Sequence, residues 1–221
     1  MNKMSSEAIR QALEQAVHAG QQESGSPKAR TRRRILEAAA EQFERFGYRR
    51  ASMAEIAREA GVAKGTLYLY FESKSELMLG AIAHEKYQQL PRILSVFERD
   101  PADQLHAYVE LIGTITRDMP LVTRLLQGDR EIMAVLDDMH DDARAAMLDM
   151  GVAFLEEMVG AAAPHLSADT RRRRAIFLRS VAMTSAQLAD DRMLHGLSIE
   201  DFAREMADVI AFGLTAPENA T

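Results

Sequence analysis

The chain has 221 residues, no cysteine, no tryptophan and a formal net charge of −6. Without cysteine it holds neither a disulfide framework nor a cysteine-ligated zinc site. No apolar run approaches the roughly 18 residues needed to span a membrane, and the N-terminal MNKMSSEAIRQALEQ lacks the apolar core of a signal peptide, so a cytoplasmic chain with no membrane partner is expected.

The charge is unevenly placed. Residues 27–80 carry eleven Lys and Arg against seven Asp and Glu, whereas residues 81–221 carry fourteen against twenty-three. A basic segment joined to an acidic body presents one face to phosphate and is repelled elsewhere.

Residues 1–26 form a separate extension. Ile9, Ala12, Leu13, Ala16 and Val17 fall on one helical face behind Ser6, and GQQESGSP then breaks the pattern. A short helix plus linker is expected, docked on the body or lying along DNA, and a mobile tail is an equal reading. The first domain helix is expected from Lys28 to Phe46, with Ile35, Ala39, Phe43 and Phe46 buried and Gly47 ending it. Arg30, Arg32, Arg33 and Arg34 cluster near its start, where backbone phosphates would be met.

Residues 52–78, SMAEIAREAGVAKGTLYLYFESKSELM, read as two helices around a turn, continuing into a third. Ser52 with Glu55, and Ser73 with Glu76, have the spacing of capping boxes. Met53, Ile56 and Ala57 repeat at helical spacing, and Gly61 supplies the left-handed turn position. Leu67 and Phe71 carry the apolar face of the next helix, leaving Lys64, Thr66, Tyr68 and Tyr70 outward. Two helices around a glycine turn, the second rich in hydrogen-bonding groups, suit insertion into the DNA major groove. Lys64 can donate to guanine, Thr66 offers a hydroxyl and a methyl, and Gly65 lets the backbone approach. Tyr68 and Tyr70 suit phosphate oxygens, and their rings can also touch thymine methyls; Ser52 and Lys74 suit phosphates, and Arg33 suits the backbone from the first helix.

The segment GVAKGTLYLYFESKSELM closely resembles the DNA-binding signature of the tetracycline-repressor (TetR) family. The upstream RRRILEAAAEQFERFGYRRASMAEIA is similar to that family's first two helices, including Phe43, Gly47 and Tyr48. The resemblance is close over residues 30–80 and extends beyond only in length and helical character. It implies the same DNA-contacting positions. One departure is Ala63, where the family's third helix usually opens with Ser or Thr; the missing cap costs about 1 kcal/mol.

Beyond residue 80 the pattern stays helical. A helix is expected from Lys74 to Phe97 with a kink at Pro91, then one after the Asp100–Pro101 cap, and a short one opened by Pro120 and stopped by Gly128. A long helix follows from Arg130 to Ala163, and two more run from Asp169 to Met193 and, after Ser198, from Ile199 to Leu214, giving nine domain helices. Small and apolar residues crowd the last two, and the resemblance implies a two-fold dimer bundled there, with Phe177, Val181, Phe202, Met206 and Ile210 at the interface. The middle helices are expected to enclose an effector of unknown identity among Tyr108, Thr116, Met147, Phe154, Met183, Thr184 and Gln187, although packing alone accounts for each. Asp137, His140 and Asp141 share a face, and a solvated acidic surface is the expected reading rather than a metal site. Arg171, Arg172, Arg173 and Arg174 read as a solvated helix start, with an anionic ligand or partner as the alternative.

Enzyme chemistry finds no support: there is no Cys nucleophile, glycine-rich phosphate loop or HExxH, and no catalytic residue or cofactor is expected. The expected fold is all-α, with an N-terminal three-helix helix-turn-helix domain over 27–76 and a larger helical ligand-binding and dimerisation domain over 77–221. The expected function is a homodimeric, ligand-responsive transcriptional repressor on a pseudo-palindromic double-stranded DNA operator. The alternative is a DNA-bound scaffold that recruits a protein partner without an effector.

Overall fold

A computed structural model of the chain describes Gln11 and residues 26–137, 141–188 and 194–218, with backbone only at 136–137, 141–151 and 186–188. The extension expected at 1–26 therefore lies almost wholly outside the described residues. Every described element is helical: α1 Pro27–Arg50, α2 Met53–Glu59, α3 Lys64–Tyr70, α4 Lys74–Gln88, α5 Leu90–Phe97 and α6 Pro101–Ile115. A 3-10 turn at Thr116–Asp118 leads to α7 Pro120–Leu126, α8 Arg130–Asp137, α9 Asp141–Ala162, α10 Ala168–Leu188 and α11 Ile199–Thr215. The all-α expectation holds, with eleven α-helices among the described residues rather than nine. One extra element arises because Pro91 has no N–H to carry the expected helix forward; α4 ends at Gln88, and the Gln89 N–H turns back to the Lys86 carbonyl at 3.1 Å. None of the described helices is long and apolar enough to cross a membrane.

Two compact units emerge. One comprises residues 26–89 with 119–137, the other residues 90–118, 141–188 and 194–218. In the first, Ser26 caps α1 by accepting from the Ala29 N–H at 3.0 Å, with Pro27 at the first helical position. Ile35, Leu36, Ala39 and Phe43 are buried, but Phe46 is exposed, a correction to the expected stripe. The last turn opens to solvent, and the Arg45 guanidinium sits 5.0 Å from the Phe46 ring centroid. Gly47 breaks the helix with φ 76, as expected, and a Cβ there would lie 3.1 Å from Glu131 Oε2. α4 packs on α1 through buried Leu77, Met78, Ala81 and Ile82 and so stays with this unit past residue 76.

Charged side chains close the helix ends of this unit. Glu85 is buried, and its two oxygens accept from the Leu121 and Val122 N–H groups, both at 3.0 Å, capping α7, whose own cap residue Met119 makes no side-chain bond. Burial raises the Glu85 carboxyl above its ordinary range, against the lowering effect of those two donors. Arg124 donates to the Phe43 carbonyl at 2.8 Å and to Asp129 at 2.9 Å, and Asp129 in turn caps α8 through the Glu131 and Ile132 N–H groups.

The second unit has one core, in which Leu105, Val109, Ile112, Leu155, Val159, Leu178, Met206 and Ala207 are buried together. α6 and α11 approach closely at Gly113, where a Cβ would lie 2.7 Å from the Ala203 Cβ and 2.9 Å from the Met206 methyl. Of the four arginines opening α10, Arg172 and Arg173 are exposed, as expected of a solvated helix start, while Arg171 and Arg174 are half-buried and engaged with backbone. Arg171 donates to the Leu166 and Pro164 carbonyls, Arg174 to those of Leu214 and Ala216, and Arg172 and Arg173 pair with Glu156 and Asp169. Carbonyls left over at helix ends attract cations strongly enough to hold them there. The acidic run at 137–142, read as a solvated face, lies outside the described side chains.

Gly113→Ala should lower stability by about 1–3 kcal/mol, because overpacking outweighs the helix preference gained; thermal unfolding reads this, and a stabilised variant would contradict it. Glu85→Gln leaves one backbone N–H without an acceptor and should cost about 1–3 kcal/mol. The folded-state value of Glu85 is raised, so its contribution is complete below its ordinary 4.5 and declines as pH climbs through the raised value. The stability gap between parent and variant should therefore narrow with rising pH, and a widening gap would overturn this account.

Candidate nucleic-acid interface

The helix-turn-helix comprises α2, the turn at 60–63 and α3. Ser52, in extended conformation, caps α2 by accepting from the Ala54 N–H at 3.3 Å. The capping box expected with Glu55 does not form, since the Glu55 carboxylate takes the Arg58 guanidinium instead. A charge-assisted bond outcompetes a single neutral N–H. At α4 the Glu76 N–H donates to Ser73 Oγ at 3.0 Å, while Glu76 Oε2 accepts from the Glu72 N–H at 2.7 Å rather than from Ser73.

The turn is fixed from outside. Gly61 has φ 64, and its carbonyl accepts from Arg34 Nη2 at 3.1 Å. Arg34, expected only as part of a basic cluster, thus clamps the link between α2 and α3. Gln42 ties α1 to α2 by donating to Glu59 at 2.7 Å.

α3 begins at Ala63, extended at φ −67 and ψ 146 but with no side-chain bond to offer. Leu67 and the following Phe71 are buried, as the spacing predicts. The Phe71 ring lies 5.2 Å below the Arg32 guanidinium, and a Cβ on Gly80 would come within 3.0 Å of its edge. Successive helical residues are turned by about 100°, so the direction opposite Leu67 falls between Gly65 and Leu69. Lys64 and Tyr68 occupy one flank of that pole, with Lys64 Nζ 5.9 Å from the Tyr68 centroid; Thr66 and Tyr70 occupy the other, half-buried. Leu69 is 86% exposed. The residue chemistry drew attention to hydrogen-bonding groups and passed over Leu69, although rotation from Leu67 places it outward. A Cβ on Gly65 would meet nothing within 4 Å, so the fold does not require glycine there and the backbone stays open to an incoming partner.

Two expected phosphate ligands have prior engagements. Lys74 Nζ donates to the Arg49 and Ala51 carbonyls, both at 3.1 Å, and sits 4.7 Å from the Tyr48 centroid, leaving one N–H for a further acceptor. Arg33 is exposed and lies 3.6 Å from Glu37.

In the second unit, Tyr108 and Phe154 come together edge-on at 5.9 Å, with Phe97 at 5.5 Å from Phe154. Burial pushes the Tyr108 hydroxyl up to about 12. Thr116 is buried in the 3-10 turn, whereas Met183 and Thr184 are exposed on α10, the reverse of an inward lining. Met147 and Gln187 lie outside the described side chains. Two grooves are described, one of about 240 Å³ lined by Arg92, Ser95, Arg99 and Thr114 among others, and one of about 500 Å³ between α10 and α11; Tyr108, Thr116, Phe154, Met183 and Thr184 line neither. The second contains Phe177, Val209 and Ile210 and continues a surface on which Val209 is 69% and Phe212 78% exposed. Of the expected interface residues, Phe177 is exposed, while Val181, Phe202 and Ile210 are half-buried against the core. Met206 is a correction: it points inward against Gly113 and belongs to the protomer core.

Residues 35–81 match the family model described as bacterial regulatory proteins, tetR family. The HTH-type transcriptional regulator UidR of Escherichia coli is 32% identical over 193 residues, covering 84% of this chain and 90% of that protein. The nucleoid occlusion factor SlmA of Idiomarina loihiensis is 30% identical over 125 residues, 56% of this chain; the match spans only 61% of that relative's length. Among solved structures, a TetR-like transcriptional regulator from Rhodococcus sp. RHA1 superposes with a TM-score of 0.60 at 20% identity, over 87% of this chain and all of that one, a likeness of fold.

Ala63→Ser supplies the missing cap in a backbone already extended for it. The variant should gain about 1 kcal/mol, read as a higher unfolding midpoint, and no gain would show that α3 is held by other means.

Proposed function

Because the chain belongs to the tetR family of bacterial regulatory proteins, we propose that this DNA-binding regulator is a repressor that grips a pseudo-palindromic operator as a homodimer and is released by a small-molecule effector. The observation that carries the DNA half of this reading is the outward face of α3, where Lys64, Gly65, Tyr68 and Leu69 stand exposed on a clamped helix in the basic part of the chain. Lys64 and Thr66 suit base edges, and Tyr68, Tyr70, Ser52, Arg33 and the remaining N–H of Lys74 suit phosphates. No enzymatic step is involved, and the cytoplasm is where such a regulator works.

The dimer rests on the apolar surface of α10 and α11. Phe177, Val209 and Phe212 are too exposed to contribute much to the fold of one protomer, and a second copy covering them would desolvate three large side chains at once. Two α3 helices on one duplex make the second half-site contact effectively intramolecular. The effector half of the reading rests on the family to which the chain belongs, since the Tyr108, Phe154 and Phe97 rings pack on one another and line neither described groove. Such a ligand releases DNA only by as much as it prefers a conformation with weaker operator affinity. A DNA-bound scaffold is the second reading, favoured by the likeness to a nucleoid occlusion factor and by Met183 and Thr184 facing solvent.

Val209→Asp together with Phe212→Asp puts charge on exposed positions, so the protomer should stay folded by circular dichroism while sedimenting as a monomer. Affinity for a selected duplex should fall at least tenfold. A folded monomer that bound the full duplex as tightly as the parent would overturn paired half-site recognition.

A further inference from the structure

We propose that Leu69 reads the C5-methyl of thymine in the major groove and sets base preference for this regulator. The inference rests on the DNA-binding reading above and adds to it a residue whose chemistry is apolar. Among the described residues Leu69 is the most exposed large hydrophobic side chain. The protomer has no use for it there, since Leu67 and Phe71 already fill the buried side of α3. It shares the outward pole with Gly65 one turn earlier, whose missing side chain leaves an opening in the helix surface. A duplex can therefore come close to the helix backbone at Gly65, and Leu69 is the next side chain along the same pole.

The occupant follows from what a groove offers. Base edges in the major groove present acceptors, donors and one apolar feature, the thymine methyl. Leu69 has no polar atom with which to meet a donor or an acceptor, and placing it against either would strip water from that group without replacement. Only the methyl gains from the contact. Lys64 on the flank, with a cationic head and an exposed position, supplies attraction to the phosphates of the duplex and makes a neutral apolar partner the poorer match for this face. The half-buried Thr66 hydroxyl and the exposed Tyr68 leave Leu69 as the apolar centre of an otherwise polar surface.

The test uses the full chain and a duplex that it selects itself from a random pool at fixed salt. That duplex is resynthesised with deoxyuridine in place of thymine, one symmetric pair of positions at a time; deoxyuridine pairs as thymine does and lacks only the methyl. At one pair the parent should lose roughly fourfold in affinity per methyl, or roughly fifteenfold with both half-sites changed. Leu69→Ala, checked for unchanged circular dichroism, should bind the parent's duplex more weakly and lose its response to deoxyuridine at that pair alone. As an independent arm, Leu69→Gln should select adenine where the parent selects thymine. Equal deoxyuridine responses in parent and Leu69→Ala at every pair, or a selected site with no thymine-dependent pair, would overturn the inference while leaving the DNA-binding reading intact. A parent that enriches no sequence would overturn both.

Discussion

Burial of Leu67 and Phe71 fixes the rotation of α3, and the rest of the DNA-facing geometry depends on that rotation. A seven-residue helix with an alanine at its cap has little stability of its own. It is held by these two side chains, by Arg32 over the Phe71 ring, by the shallow floor that Gly80 provides, and by the Arg34 clamp on the Gly61 carbonyl. Turning α3 by one residue position, about 100°, would bury a polar or missing side chain and expose Leu67. The hydrophobic constraint therefore decides which groups reach DNA, although none of the constraining atoms does.

Several charged residues in both units act on backbone groups at helix ends. Glu85 caps α7, Asp129 caps α8, Arg124 takes the Phe43 carbonyl, Arg171 takes the Leu166 carbonyl beyond the end of α9, and Arg174 takes the Leu214 and Ala216 carbonyls at the end of α11. Lys74 does the same for Arg49 and Ala51. Each helix terminus leaves donors or acceptors that must be met, and a long charged side chain meets them without a change in chain path. The consequence for function is subtractive. Cations engaged in this way are only partly free for phosphate, so the groups left for DNA are fewer than the basic composition of the segment implies.

The local features of this fold are legible in the amino-acid order. Glycines at 47, 61 and 128 and prolines at 27, 101 and 120 punctuate the helices where their backbone chemistry requires, and the i, i+4 pair of Leu67 and Phe71 marks the inward side of α3. What escaped a reading of the order alone depends on partners distant along the chain. Arg34 meets Gly61 and Arg174 meets Leu214 across 27 and 40 residues, so each looks like a solvated cation until the fold brings its acceptor near. Met206 and Met183 are chemically alike, and only packing sends one into the core and the other to solvent. Leu69 is hidden in the order for a different reason: an apolar residue ordinarily faces inward, and its position opposite Leu67 turns it outward.

Paired reading of successive major grooves has one direct signature. Hydroxyl-radical footprinting of the parent on its selected duplex should show two protected patches related by a dyad and centred about one helical turn, ~34 Å, or a whole multiple of it apart. The Lys64→Ala chain should weaken both patches equally. Protection confined to a single patch, or patches without dyad symmetry, would contradict a homodimer that presents one α3 to each half-site.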